Sequence, residues 1–354
     1  MISIVLTNRN RDLNIVKKCL DSLKNQSNDQ FELFFVDYGS DKNYLVSLKE
    51  LVHSYSKINF IDCPVSRQLW NKCRAINIAL KQCKTDFFFV GDIDMIYHPN
   101  FVNRLFELKN EKAVKYFQVG FLDKNQGHQN GSFEEYKISF NSTENATGMT
   151  LYPTDLLKQI NGFDEFYHGW GSEDTDMHVR LKNLGISVEY YDKEILMLHQ
   201  WHPKVYRSVQ NKTGFHTSLE KINSRYLLQA DKLKKSKANL NFDWGVIPNP
   251  DDYQSLENPN VFISITNEKA AVDALLRGTL IDLKNSIAEI EIKKTVNENK
   301  TKNLIKRFIG RKYTEYYDFQ IINNLLLEVI ISFCRNAPYQ YFINENKICL
   351  KIKL

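Results

Sequence analysis

Asp86-Phe87-Phe88-Phe89-Val90-Gly91-Asp92-Ile93-Asp94 is an apolar run that ends in two acids one residue apart. Four consecutive apolar side chains leave no polar face, so the run predicts a strand covered on both sides, as in parallel sheets flanked by helices. The segments before it agree. Ile2 to Leu6 and Phe31 to Val36 read as strands, the second closed by the turn-forming Gly39-Ser40-Asp41, and Ile58 to Ile61 is a shorter one. Leu13 to Lys24 places Val16, Cys19, Leu20 and Leu23 on one helical face, and Tyr44 to Ser54 and Trp70 to Gln82 are also helical. Strands alternating with helices predict an α/β fold with a mainly parallel sheet built from βαβ units. Ligands in such sheets bind beyond the carboxyl ends of the strands, where Asp92 and Asp94 lie.

The C-terminal side is less regular. Asp123 to Thr147, rich in Asn, Gln, Gly, Ser and Glu, reads as a long surface loop or lid. Helix is expected over Pro153 to Ile160 and Asp174 to Leu184, and strand over Val188 to Tyr191 and Ile195 to Leu198. A boundary near residue 240 divides a catalytic domain (1–235) from an accessory region (240–354) expected to be mostly helical. That region carries a charged helix at about Ala270 to Lys294, a basic stretch from Lys300 to Lys312 and an apolar helix from Phe319 to Cys334. Lys300, Lys302, Lys306, Arg307, Arg311 and Lys312 beside Leu304, Ile305, Phe308 and Ile309 support two readings. One is a solvated helix packing its apolar face; the other is peripheral membrane contact through 300–334. Phe319 to Cys334 is a candidate for homo-oligomerisation.

The 354 residues are 43% apolar and 25% charged, ordinary for a globular protein. A net charge of +5 is too mild to argue for nucleic acid. No stretch reaches the ~18 apolar residues of a membrane span, and Met1 to Thr7 reads as a first strand, not a signal peptide. The six cysteines form no C-x-x-C pair and read as reduced thiols of a cytoplasmic protein.

Gly162 to Asp176 packs five carboxylates, three glycines and four aromatics into fifteen residues, a mixture poor for a core and suited to gripping a sugar hydroxyl. Glu173-Asp174 at a helix start could serve only as a cap, but that leaves Trp170 and the other acids unexplained. Asp174 is the candidate general base, Glu173 its partner or acceptor holder, and Trp170 the platform for a sugar face. Asp92 and Asp94 could meet a divalent cation held by a diphosphate, with Mg²⁺ or Mn²⁺ taking oxygen ligands. His199 could complete its shell, with His202 as the alternative. Thr7 and Arg9 end the first strand and Asp37 the second, where they could line a nucleotide pocket, Asp37 accepting from a uracil N–H. Arg74 and Asn77, one helical turn apart, could reach phosphate and ribose.

Taken together these residues resemble the GT-A (Rossmann-like) glycosyltransferases, in particular bacterial chondroitin-polymerase-type domains and the C-terminal region of β-1,4-galactosyltransferases. Gly162-Phe163-Asp164-Glu165 and Gly169-Trp170-Gly171-Ser172-Glu173-Asp174, continued by Arg180-Leu181 and Gly185, carry the likeness, with His199-Gln200 and Trp70-Asn71-Lys72-Cys73-Arg74-Ala75-Ile76-Asn77-Ile78. It covers roughly residues 1 to 225. The resemblance implies an inverting, Mn²⁺- or Mg²⁺-dependent transfer from a UDP-sugar to a saccharide, in surface or capsular polysaccharide synthesis at the cytoplasmic side of the membrane. Asp94 and His199 would be metal ligands, Asp92 a donor or ribose contact and Asp174 the base, with Trp170, Gly171 and Gly148 toward the acceptor and sugar. Ser172 and Thr175 depart from the family pattern, often Gly and an acid. Where galactosyltransferases often carry a bulky aromatic near Thr147-Gly148, this chain has Asn145 and Ala146, so an N-acetylhexosamine donor is expected to be tolerated. A nucleotidyltransferase would need a Gly-rich loop where Thr7-Asn8-Arg9-Asn10-Arg11 stands. A non-enzymatic sugar-binding module is the alternative of a different class.

Overall fold

The computed structural model describes residues 1–128, 131–203, 215–295, 305–306 and 308–354. The chain divides into two compact units. The first comprises Met1–Cys63, Trp70–Ser208 and Glu220–Ile247, and the second Pro64–Leu69, Val209–Leu219 and Pro248–Leu354. The main boundary falls between Ile247 and Pro248, and two short earlier segments join the second unit.

The first unit begins with β1 (Ile2–Asn8), α1 (Leu13–Lys24), β2 (Phe31–Tyr38), α2 (Lys42–His53), β3 (Ile58–Cys63), α3 (Lys72–Gln82) and β4 (Phe87–Asp92). Short β5 (Met95–Tyr97), α4 (Phe101–Leu108), β6 (Ala113–Phe117), β7 (Gly120–Leu122) and β8 (Ile138–Asn141) follow. Then come β9 (Thr150–Pro153), α5 (Thr154–Gln159), α6 (Glu173–Asn183), β10 (Ser187–Tyr191), β11 (Met197–His199) and α7 (Leu219–Lys232). The main sheet has the order β10-β6-β9-β4-β1-β2-β3. β1 runs parallel to β2 and β4, and β9 runs antiparallel to β4. A second, four-stranded sheet has the order β5-β11-β7-β8.

The apolar runs form the buried strands as expected. All of β1 is buried, and Phe89 of β4 meets Phe101 edge-on at 5.0 Å in a core that includes Ile4, Leu6, Phe35 and Phe117. Asp12 caps α1 by accepting from the amides of Asn14 and Ile15, and its buried face is Val16, Cys19, Leu20 and Leu23. In register, Thr7 lies beside Asp92 and Asn8 beside Asp37, so these residues share one edge of the sheet. The region from Asp123 to Thr147 is less irregular than expected. It holds 3₁₀ turns at Lys124–His128 and Phe133–Glu135, and β8.

The second unit carries a four-stranded sheet of β12 (Val261–Thr266), β13 (Ile287–Lys293), β14 (Tyr339–Ile343) and β15 (Lys347–Lys353), in the order β12-β13-β15-β14. With it are α8 (Pro250–Ser255), α9 (Lys269–Ala274), a π-helical turn (Leu275–Thr279), α10 (Leu280–Asp282) and α11 (Phe319–Phe333). The helix expected from Ala270 to Lys294 stops at Asp282. Ile287-Ala288-Glu289-Ile290-Glu291-Ile292 alternates with period two, and Ala288, Ile290 and Ile292 are fully buried. The C-terminal third thus mixes sheet with helix, where helix was expected to dominate. No helix among the described residues is long and apolar enough to cross a membrane. Lys300, Lys302, Leu304 and Arg307 of the basic stretch lie outside the described residues.

Candidate active site

Strand pairing assembles the first half of the site. Asp92 ends β4, and the turn through Ile93 and Asp94 enters β5, whose Met95 pairs with His199 of β11. The amide of Gln200 donates to the Asp94 carbonyl at 2.8 Å. Asp94 Oδ1 then lies 3.7 Å from His199 Nε2, and Oδ2 lies 3.1 Å from His202 Nε2 and 3.2 Å from Arg11 Nη2. One ligand atom from each of Asp94, His199 and His202 falls within 4.8 Å of the others. The geometry brings both histidines to the same carboxylate.

The electrostatics of this cluster suit a cation. Burial pushes the Asp94 carboxyl up, but the His202 hydrogen bond, His199 and Arg11 outweigh it and hold it well below the usual carboxylate range. Asp94 Oδ1 is buried and has no hydrogen-bond partner. Burial lowers the pKa of His199, against the pull of Asp94, and its ring stacks on Phe121 at 4.7 Å. A neutral imidazole is the form that binds metal. His202 Nδ1 is 3.1 Å from the carbonyl of Pro203, a partner for an Nδ1–H that would leave Nε2 to meet either a proton shared with Asp94 or a cation. Two acceptors at that separation require a proton or a cation between them. A divalent cation therefore fits this donor set.

The second half is built by α6. Gly169 (φ 74°), Gly171 (φ 100°) and Ser172 (φ 75°) all take left-handed backbone, turning the chain sharply before Glu173 and Asp174 open the helix. Lys72, the first residue of α3, lies among the acids: its Nζ is 3.0 Å from Asp92, 3.4 Å from Asp174 and 3.9 Å from Glu173. Burial pushes the Asp174 carboxyl up to about 7, with Glu173 and Asp92 adding to the rise and Lys72 opposing it. Asp174 Oδ1 is buried without a hydrogen-bond partner. Gly148 lies against this acid, since a Cβ built on it would stand 3.4 Å from Asp174 Oδ2.

The other three carboxylates of the Gly162–Asp176 stretch are structural. Asp164 accepts from the Phe166 amide and the Tyr226 hydroxyl. Asp176 is paired with Arg180 at 2.7 Å and accepts from Tyr167, while Arg180 Nη2 donates to the Gly162 carbonyl. Glu165 accepts from Arg74 Nε at 2.7 Å, Asn77 Nδ2 at 3.0 Å and the Gly245 amide at 2.7 Å. The expected reach of Arg74 and Asn77 to phosphate and ribose gives way to this clasp. Asn77 is fully buried, and its amide also holds both the N–H and C=O of Phe163. Gly162 (φ 64°) admits the approach, because a Cβ there would come within 2.2 Å of Asn77 Oδ1.

Asp37 is fully buried and accepts from Asn8, from the Ser40 hydroxyl and from the Ser40 amide. Its carboxylate closes the turn after β2. Thr7 is buried at the end of β1 and Arg9 is half-buried beside it in sequence. Trp170 is 48% exposed, and Asn223 of α7 holds its carbonyl and that of His168. Sequence reasoning gave no role to Lys72 or Arg11.

Residues 3–159 match the profile of glycosyl transferase family 2, and residues 127–202 match the profile described as the N-terminal domain of galactosyltransferase. Human β-1,4-galactosyltransferase 5 is 24% identical over 230 residues, 64% of this chain and 47% of that protein. The chain thus spans about half the length of that relative. Human chondroitin sulfate synthase 3 is 25% identical over 181 residues, 48% of this chain and 20% of that protein. A crystal structure of GalNAc-T7 with UDP, GalNAc and Mn²⁺ is similar in fold, with a TM-score of 0.50 at 12% identity, covering 65% of this chain and 48% of that one. The fold is that of the GT-A glycosyltransferases. Within that class the chain resembles the β-1,4-galactosyltransferase and chondroitin-synthesising enzymes.

Proposed function

We propose that the chain is an inverting glycosyltransferase moving a hexose or N-acetylhexosamine from a UDP-sugar to a saccharide acceptor, in the assembly of a surface polysaccharide. The observation that carries this is the Lys72 bridge. Asp92, two residues from Asp94 with its two imidazoles, shares one ammonium with Glu173 and Asp174. The acid pair and Asp92, whose strand leads into Asp94 of the candidate cation triad, are thereby drawn to a single side chain.

Asp94, His199 and His202 would hold the cation, which when bound supplies positive charge to the donor diphosphate. Two imidazoles beside one carboxylate favour Mn²⁺ over Mg²⁺, which prefers an oxygen shell. Asp92 would contact the donor or its ribose, and Thr7, Arg9 and the Asp37 turn would line the nucleotide side. Trp170 and Gly171 would face the acceptor. As an acceptor hydroxyl oxygen bonds to the anomeric carbon, the bond to the diphosphate oxygen breaks and the electron pair leaves with UDP. The hydroxyl proton passes to Asp174, whose raised carboxyl pKa suits a base near neutral pH. Glu173 would orient the acceptor or Asp174. Gly148 lies against Asp174, and the small Asn145 and Ala146 just before it stand where galactosyltransferases often carry a bulky aromatic, which supports room for an N-acetyl group.

The test is UDP release from UDP-Gal, UDP-GalNAc and UDP-GlcNAc with Mn²⁺, comparing the wild type with Asp94→Ala and Asp174→Asn. Transfer lost in both, with UDP binding kept in Asp174→Asn, is the expected result. Turnover of UDP-Gal alone would refute the N-acetyl part. Mn²⁺-dependent UDP binding without transfer to any saccharide would replace the enzyme by a binding module.

A further inference from the structure

Two hydroxyl contacts fasten the turn at Gly148 to the helix that carries Asp174, and the transfer chemistry uses neither of them. Asp174, Thr175 and His178 all belong to α6, where positions three and four apart are neighbours on one face. The turn, residues 147–149, leads into β9, whose strand begins at Thr150. In the sheet β9 lies between β4, which ends at Asp92, and β6.

The inner contact is buried. Thr150 Oγ1 lies 3.2 Å from His178 Nε2, with no exposure at Thr150 and almost none at His178. The same hydroxyl donates to the carbonyls of Thr147 at 3.1 Å and Gly148 at 3.2 Å. With its one proton directed to those carbonyls, it is the acceptor of an Nε2–H from the ring. Burial lowers the pKa of His178 to about 3, so the imidazole is neutral, and its ring packs on Tyr116 at 4.8 Å. The outer contact is half-buried: Thr147 Oγ1 lies 3.0 Å from Thr175 Oγ1. The turn held in this way passes so close to the base that a Cβ on Gly148 would stand 3.4 Å from Asp174 Oδ2.

We propose that these two contacts form a clasp that fixes the Gly148 turn to α6, making Thr147, Thr150, Thr175 and His178 positioning residues for the general base. Thr150 holds the carbonyls of the turn, and His178 holds Thr150 from one helical turn beyond Asp174. The spacing between the turn and the carboxylate is thereby set by side chains that do not themselves take the proton. The clasp stands on its hydrogen bonds alone; its part in transfer rests on the glycosyltransferase reading above. Thr150→Val keeps the side-chain shape and removes the hydroxyl, and His178→Phe keeps a ring against Tyr116 and removes the donor. Either change leaves a buried partner unsatisfied, a loss that commonly shifts a folding equilibrium about tenfold, whereas removing both leaves no orphan between them.

The experiment is a double-mutant cycle on the full chain: wild type, Thr150→Val, His178→Phe and the double variant, each followed by urea unfolding and by UDP release with Mn²⁺. Each single change should lower the folding constant about tenfold, and the double variant should lose clearly less than the roughly hundredfold product. Turnover at saturating donor should fall at least about tenfold in each, with Mn²⁺-dependent UDP affinity intact, because a base out of register slows transfer without loosening the nucleotide. Thr175→Val should lower turnover in the same way, and Thr175→Ser, which keeps the hydroxyl, should restore it. Folding losses that simply multiply, unchanged turnover, or a Thr175→Ser variant as impaired as Thr175→Val would overturn the proposal. If the wild type turns over no UDP-sugar, the functional reading fails, while the unfolding cycle still decides the clasp. Should the buried variants not fold, the cycle of Thr147→Val and Thr175→Val on the half-buried pair gives the same comparison.

Discussion

Replacing Lys72 with Met preserves side-chain length and removes the charge that three acids share. The ammonium is 3.0 Å from Asp92, 3.4 Å from Asp174 and 3.9 Å from Glu173. At an effective dielectric near 20, one such pair is worth roughly 4–5 kcal/mol before desolvation and relaxation. If only a third of that survives, the Asp174 carboxyl still rises by about one unit, at ~1.4 kcal/mol per unit. It starts at about 7, raised by burial and held back by Lys72. The base works deprotonated, so activity rises with pH through this titration. Loss of Lys72 moves the acid limb of the kcat profile to higher pH. At pH 7 the variant should lose about fivefold in turnover and recover most of it by pH 9. The acids titrate as a group, so the limb reports the cluster's apparent pKa. A pH series of UDP release at saturating donor and Mn²⁺ measures it. An unmoved acid limb, or a loss not recovered at alkaline pH, would refute the role of Lys72 as the counter-charge to the base.

Asp94→Ala is expected to abolish Mn²⁺-dependent UDP binding. His202→Ala should weaken Mn²⁺ affinity at least about tenfold, since even outer-shell losses cost that much; calorimetric titration of Mn²⁺ reads both. Asp174→Asn should lower transfer by about 10²–10⁴-fold with UDP binding intact. The same variant should melt higher than the wild type at pH 8. The folded pKa is raised above the unfolded value, so this group's contribution to stability falls as pH rises from about 4 to about 7, and Asn never ionises. Gly162→Ala combines a left-handed backbone with a Cβ 2.2 Å from Asn77 Oδ1. Strain of ~1–2 kcal/mol plus a damaged buried hydrogen bond of ~1–3 kcal/mol predicts a clear drop in the urea midpoint.

The fold of the first unit was legible because its strands are largely apolar runs. Phe87 to Val90 could be covered only on both faces, and Asp92 and Asp94 had to fall at the strand end. Register was not legible. His199 and His202 reach Asp94 because Met95 pairs with His199 across two three-residue strands, too short to leave a pattern. Lys72 was hidden for a similar reason. A lysine at a helix start is ordinary, and its three acids come from β4 and α6, distant in sequence. In the second unit, the alternation of Ile287 to Lys293 was masked by its glutamates and lysines, which also suit a charged helix.

The Gly162–Asp176 stretch shows why a dense acidic motif is a poor guide to individual roles. Sequence reasoning took Glu173 and Asp174 as the candidates for chemistry and left the other three acids without individual roles, and the structure divides the five by what neutralises them. Asp176 is paired with the buried Arg180, Glu165 with Arg74 and Asn77, and Asp164 with a tyrosine hydroxyl and an amide. Each has a dedicated partner, and each partner fastens the stretch to another element. Glu173 and Asp174 have no such partner: they share one ammonium with Asp92, and Asp174 keeps a buried oxygen without a hydrogen bond. A carboxylate with a private counter-ion gains nothing by meeting a ligand, because binding would break a satisfied pair. One that is under-compensated and desolvated is stabilised by any proton or hydroxyl delivered to it. The three satisfied acids hold the turn, and the turn holds the two unsatisfied ones where an acceptor hydroxyl would arrive.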